Sequence, residues 1–304
     1  MGVEARVEPG EPGRRAIAIS GALGSGKSSV ARLLAERLGL EFVSTGDLHR
    51  AIASGRKVST LELNKLAEHD QRIDDEVDDV LRGLAVAGTP VVVDSRMAWW
   101  FIPDALSVHL TVAPEVGAER MHSRRGQTAE EYTSQDEALR KAHDRAESER
   151  MRFASLYGVD TLRLRNYEIV VDTTSAPIEE IADDIVAGAR AAAAPLGRRP
   201  GLVVLSPAQI YPTGAAGEAA GTDGPIVVGF SHPHFFALDG HQRLAAAVRA
   251  GRTRIEATLL AEGDEEVAAG RSAHRYFAES LRTGVVAEWE AATGVRLPVP
   301  LTSE

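Results

Sequence analysis

Nine residues, GALGSGKSS from Gly21 to Ser29, stand between the apolar run AIAIS and the helix-patterned VARLLAERLG. Gly21, Gly26, Lys27 and Ser28 fit the spacing G-x-x-x-x-G-K-[ST]. Glycines let the backbone curl so that successive N–H groups point inward, and the helix that follows aims its positive dipole end at the same point. Such a loop is an anion cradle, and it works only at the end of a strand with a helix behind it, which commits this region to an α/β fold. In that role Gly21, Gly24, Ser25, Gly26, Lys27, Ser28 and Ser29 would surround a triphosphate, as in ATP. Lys27 would bridge the β- and γ-phosphates and the Ser28 hydroxyl would ligate Mg²⁺.

The rest of the chain agrees with that commitment. From Ala16 to Ala194, the runs AIAIS, LEFVS, PVVVD, SVHLTV and EIVVDT alternate with helical patterns, which predicts a parallel sheet with helices on both faces. The pattern then fades into Ala, Pro, Gly and Arg, and a second, smaller α/β pattern follows: LVVLSP, PIVVGF, FFALDG, HQRLAAAVRAG, IEATLL and a mostly helical tail. The organisation expected is a disordered N-terminus at 1–14, an α/β domain at 15–194, a linker at 195–201 and a small α/β domain at 202–304. With 304 residues and 44% apolar content, each domain can bury a core.

The net charge of -10, from 34 Lys+Arg against 44 Asp+Glu, argues against a nucleic-acid or anionic-membrane partner. No cysteine is present, so disulfides, thiolate metal sites and thiol nucleophiles are excluded. The segment MGVEARVEPGEPGRR carries no apolar run and reads as neither signal peptide nor membrane anchor. A soluble, cytoplasmic protein acting on a small molecule or nucleotide is expected. Nothing in the sequence sets its oligomeric state.

A second strand-to-helix junction, STGDLHRAIA, follows at Ser44 to Ala53. Together with the loop, with LNKLAEHDQRIDDEVDD, GTPVVVDSRMAWW, LTVAPEVGAERMHSR and ESERMRFASLYGVD, and with EIVVDTT, it resembles the nucleoside monophosphate kinases, most of all the short archaeal-type cytidylate kinases, over about 170 residues in order. The resemblance implies that Arg50 and Arg96 hold the acceptor's phosphate from two sides. Planar guanidinium groups suit that task because they bind phosphate bidentately and never lose their proton. Asp94, at a strand end, would organise Mg²⁺ with Ser28 or position the acceptor oxygen. Thr45 and Asp47 either contact the acceptor or cap the following helix. The family pattern Glu-Gly-Arg is here Asp94-Ser95-Arg96, next to Trp99 and Trp100, which either stack on a base or belong to the core.

Between Glu119 and Arg152 charges alternate along helical stretches, usually the mark of a solvated face. The resemblance implies instead an arginine-bearing lid that excludes water from the phosphates, with Arg120, Arg124 and Arg125 at its start and Arg145 and Arg150 on the returning helix. Lys27, Asp94, Arg96, Arg124 and Arg145 are the residues expected to carry catalysis.

In the second half, LDGHQRLAAAVRAG places Asp239, Gly240, His241 and Arg243 at a strand-to-helix turn. This resembles the small domain shared by ParB partition proteins, sulfiredoxin and ParB-like free serine kinases, and implies a phosphate site at those four residues. A purely structural turn has the same pattern. Sulfiredoxin chemistry needs a cysteine this chain lacks, and residues 201–304 contain no lysine, which argues against DNA partition. His232, His234 and His241 fall within ten residues, a spacing that raises a metal site beside the ordinary reading of a loop. The function expected is an ATP- and Mg²⁺-dependent kinase acting on CMP, dCMP or an analogue. The alternatives are a kinase for a non-nucleotide hydroxyl compound, such as free serine, and a nucleotide-sensing binding protein.

Overall fold

Residues 17 to 21 alternate their side chains across a strand, and both faces are buried. Ile17 and Ile19 pack with Val30, Leu34, Ile181 and Ile185 on one side, while Ala16 and Ala18 meet Leu81, Ala98 and Phe153 on the other. A strand covered on both faces calls for helices above and below. A computed structural model of the chain describes residues 15–67, 70–123, 133–191, 200–216, 224–268 and 270–300. The N-terminus at 1–14, expected to be disordered, and residues 195–199 of the linker lie outside the described residues.

The first half runs β1 (Ile17–Gly21), α1 (Lys27–Leu38), β2 (Glu41–Ser44), α2 (Thr45–Gly55), α3 (Thr60–Ala67), α4 (Arg72–Ala87), β3 (Val91–Asp94), α5 (Ala98–Phe101), β4 (Leu106–Thr111), α6 (Pro114–Ser123), α7 (Gln135–Tyr157), β5 (Ile169–Asp172) and α8 (Ile178–Ala191). The second half runs β6 (Leu202–Leu205), β7 (Ile210–Tyr211), β8 (Ile226–Ser231), β9 (His234–Asp239), α9 (His241–Arg249), β10 (Ile255–Glu262), β11 (Glu266–Ala268), β12 (Arg271–Ser272), α10 (Ala273–Leu281) and α11 (Val285–Thr293). The strand order β2-β3-β1-β4-β5 is all parallel, and β1 lies between β3 and β4, to which the chain reaches by crossovers in opposite directions. The loop after β1 therefore opens at the crevice where such sheets bind ligands. Among the described residues, no helix is long and apolar enough to cross a membrane.

The two halves share one sheet. β6 pairs in parallel with β5, Ile169 opposite Leu202, and antiparallel with β10, after which come β8, β9 and β7. One core spans the join: Leu164, Tyr167 and Val170 from the first half pack with Val203, Leu205, Ile226, Phe230 and Trp289 from the second. The buried Glu262 carboxylate accepts the backbone N–H groups of Leu164 at 2.6 Å and Arg165 at 3.1 Å, fixing the turn that leads into β5. Because this core belongs to both halves, the chain is expected to unfold in a single cooperative thermal transition. Trp289→Ala should lower stability by about 3–5 kcal/mol without splitting that transition. Calorimetry showing two separable transitions would count against a shared core.

Candidate functional site

The loop after β1 turns twice through the left-handed region, with φ +76° at Gly24 and +80° at Gly26. A Cβ at Gly24 would lie 2.3 Å from the Gly117 carbonyl oxygen, so the loop is wedged directly against α6. Gly26 precedes α1 and offers no side-chain cap, which leaves first-turn amides for an anion. Ser25 Oγ donates to the Ala22 carbonyl at 2.7 Å and holds the loop's shape, while Gly24, Gly26, Lys27, Ser28 and Ser29 line a cavity of about 760 Å³. Lys27 Nζ donates to the Ala22 carbonyl at 3.4 Å. Burial, and then the Arg96 guanidinium, lower its pKa to about 8 against the opposing pull of Asp94. A cation held this way gains when a phosphate arrives.

Opposite the loop, β3 ends at Asp94. Ser28 Oγ donates to Asp94 Oδ2 at 2.5 Å, and Thr45 Oγ1 donates to the Asp94 carbonyl at 3.3 Å. A hydroxyl and a carboxylate in contact at the head of a phosphate loop are the oxygen donors that Mg²⁺ takes. The capping question at α2 also resolves. Ser44 caps the helix by accepting from the Asp47 N–H at 3.2 Å, so Thr45 is free to bind Asp94, and Asp47 turns its carboxylate to Arg50 and to Arg32 at 3.5 Å. Arg50 and Asp47 both line the cavity.

Arg96 follows on the β3–α5 turn. The Trp99 indole N–H donates to the Arg96 carbonyl at 2.9 Å, and the ring packs edge-on to Tyr167. Trp99 is thus core that fixes the turn. Trp100 is 43% exposed, and neither ring lines the cavity, so the base-stacking alternative finds no support there. The Arg96 guanidinium pairs with Glu149, and Arg145 Nε donates to the other Glu149 oxygen at 2.9 Å. Burial, with Arg145 next, holds Arg96 below the usual arginine range. Glu149 is itself 6% exposed, a buried carboxylate standing where two guanidinium groups meet.

Of the other lid residues, Arg120 ties α6 to the loop and to the turn after β5, donating to the carbonyls of Thr173 at 2.8 Å and Thr174 at 3.2 Å. Arg124 and Arg125 lie outside the described residues. Arg150 does not reach the cavity: it pairs with Glu147 at 2.9 Å and Asp160 at 3.6 Å. The cause is helical periodicity. On α7, residues 145, 149 and 152 share one face at spacings of four and three, while 150 points well away from it.

That periodicity also brings in residues the sequence reading missed. Arg152 and Glu149 from α7, Asp74 and Asp78 from α4, Asn64 from α3 and His49 from α2 all line the cavity. The period of α7, counted from Arg145, was the available signal for Glu149 and Arg152. No local signal marked Asp74 or His49.

In the second half, Asp239, Gly240, His241 and Arg243 gather at the start of α9. Arg243 donates to the Pro225 carbonyl at 3.2 Å, and His241 Nε2 accepts from the Thr213 N–H at 3.2 Å. His234 is buried against Tyr211 and His232 faces Phe230, so the three histidines part company. Among the described residues, no group of three His, Cys, Asp or Glu is arranged to hold a metal. Measurement can separate the cavity-lining arginines from Arg150: Arg96→Ala and Arg145→Ala should each lower kcat/KM on the order of 10²-fold, whereas Arg150→Ala, which removes an exposed ion pair, should leave it within about twofold.

Comparison with known proteins bears on the first half. Residues 16–175 match the cytidylate kinase-like family. A cytidylate kinase of Sulfolobus acidocaldarius is 36% identical over 172 residues, which are 56% of this chain and 91% of that one. A cytidylate kinase of Aeropyrum pernix is 39% identical over 173 residues, 57% of this chain and 97% of that one. Matched over more than half of its length, the chain is a phosphotransferase and belongs to the cytidylate kinase-like family.

Proposed function

We propose that the chain transfers the terminal phosphoryl group of ATP, with Mg²⁺, to the phosphate of a nucleoside monophosphate: CMP, dCMP or an analogue. The observation that carries this reading is that Arg50, Arg96 and Arg145, from three separate elements, line the same cavity as the phosphate loop. The names of the Sulfolobus and Aeropyrum relatives support the acceptor.

A phosphate monoester is close to a dianion at neutral pH, so its attacking oxygen needs no general base. What it needs is compensation of charge as two anions approach in line. Arg50, Arg96 and Arg145 would supply it on the acceptor side. ATP supplies the phosphoryl group, and Mg²⁺ neutralises charge on its terminal phosphates; Ser28 and Asp94 are the residues that would hold the ion. An acceptor oxygen bonds to the terminal phosphorus as the bond to the bridging oxygen breaks. Lys27 and the first-turn amides of α1 take up the charge of the departing diphosphate. Arg120, Arg124 and Arg125 belong to the lid in this reading.

For residues 202–304 we infer a ParB- and sulfiredoxin-like domain, at 202–304 after the linker at 195–201, with an anion site at Asp239, Gly240, His241 and Arg243. The strand–turn–helix of β9 and α9, whose start has no side-chain cap, supports it. The exposed Asp239 carboxylate favours a second reading, transfer to a small hydroxyl compound such as a free amino acid. Transfer lost in Asp239→Ala and kept in Lys27→Ala would establish that reading.

Incubation with ATP, Mg²⁺ and a panel of nucleoside monophosphates should yield a diphosphate by phosphorus NMR, and Lys27→Ala should abolish it. Formation of no diphosphate from any monophosphate would refute the proposal. The pH profile is a separate check. Lys27 in the free enzyme is charged below its pKa of about 8 and neutral above, and a triphosphate binds the charged form. The value of kcat/KM for ATP should therefore fall as pH rises through that point, while kcat, measured with the phosphate already in place, falls less. A flat kcat/KM profile there would mean that Lys27 stays protonated without its ligand.

A further inference from the structure

One wall of the cavity carries buried polar atoms with no hydrogen-bond partner: Asp74 Oδ2 on α4, Arg152 Nε on α7, Asn64 Nδ2 on α3 and His49 Nδ1 on α2. Buried polar atoms left unpaired are destabilising, so four on one wall call for a ligand. Asp74 is 4% exposed, and the Arg152 side chain 9%. Asp74 Oδ2 and Arg152 Nε lie 3.6 Å apart, close enough to attract and too far to hydrogen-bond each other. They present an acceptor beside a donor. Val77, one turn beyond Asp74, and Phe153, next to Arg152, line the same cavity and offer apolar surface for a flat ring.

That order of groups is complementary to one kind of base edge. An amino-substituted base, cytosine or adenine, offers an exocyclic N–H donor beside a ring-nitrogen acceptor, while uracil and guanine offer a carbonyl acceptor beside a ring N–H donor. We propose that Asp74 and Arg152 read the amino-bearing edge of the acceptor's base and are the specificity-determining pair of this site, an inference that rests on the nucleoside monophosphate reading above. Asp74 Oδ2 accepts the exocyclic N–H, and Arg152 Nε donates to the neighbouring ring nitrogen. A uracil in the same position sets its carbonyl against the carboxylate and its ring N–H against the guanidinium, leaving both protein groups unpaired.

The test compares kcat/KM for CMP, UMP and the monophosphate of the pyrimidin-2-one nucleoside, which keeps the ring nitrogen and lacks the amino group. The unaltered protein should favour CMP over UMP by ~100-fold or more, and over the pyrimidinone by about tenfold or more. In Asp74→Asn the side-chain amide can donate to the uracil carbonyl, so the CMP to UMP ratio should fall to within about tenfold, through loss on CMP and gain on UMP. An unchanged ratio in Asp74→Asn, or a pyrimidinone used as well as CMP, overturns the assignment. Should Asp74→Asn fail to fold, the pyrimidinone comparison in the unaltered protein decides alone. Equal use of CMP and UMP by that protein sinks this inference and leaves the kinase reading standing, whereas turnover of no monophosphate at all sinks both.

Discussion

Repulsion between like charges is the constraint around which this structure is arranged. Lys27, Arg96, Arg145 and Arg152 line one cavity, and bringing them out of water beside each other is costly unless anions stand among them. Burial and neighbouring cations lower Lys27 and Arg96 together. Three carboxylates offset the crowding from three different elements: Asp94 at the end of β3, Glu149 on α7 and Asp74 on α4. A cluster balanced in this way is tuned to gain from an incoming phosphate. It also has to be held rigidly, since helices free to drift apart would relieve the repulsion without any ligand.

The rigidity comes from behind. Trp99 pins the Arg96 turn, rests on Tyr167, and through it joins a core whose other wall is made by β6, β8, β10 and α11. Tyr167 in turn donates to the Thr161 carbonyl at 2.8 Å, just after α7 ends. The second half of the chain therefore buttresses both the turn that carries Arg96 and the segment that follows the helix carrying Arg145 and Arg152. Among the described residues it does so without contributing a side chain to the cavity.

What could be seen beforehand divides along the same physical line. The phosphate loop, Asp94 and the strand order's α/β character were legible because each depends on a few consecutive residues: glycines that must take positive φ, a lysine at a helix start, apolar runs of strand length. Resemblance pointed to Arg96 and Arg145, and both line the cavity. Arg150 misled because charge composition marks a helix as arginine-rich without saying which face is turned inward; the period of α7 excludes it and admits Arg152 and Glu149. Asp74 was hidden among RIDDEVDD, where five acids in eight residues read as a solvated surface, and two of them, Asp74 and Asp78, are buried in the fold with Arg152 and Tyr157 of α7 beside them. The join between the halves was invisible for a related reason. A strand such as LVVL shows that it will be buried, but nothing in four apolar residues names the strand it will pair with.

That join has a consequence at the margins of the sheet. Strands with an open side expose rows of backbone donors and acceptors to any passing chain. Here β5, fully buried and without a charged residue until its last position, is covered by β6, and the ladder continues until it reaches β7, two residues long. At the opposite margin stands β2, four residues that begin with an exposed glutamate. Among the described residues, the ten strands of this sheet thus finish in two short ribbons, and its most adhesive edges are spent on one another.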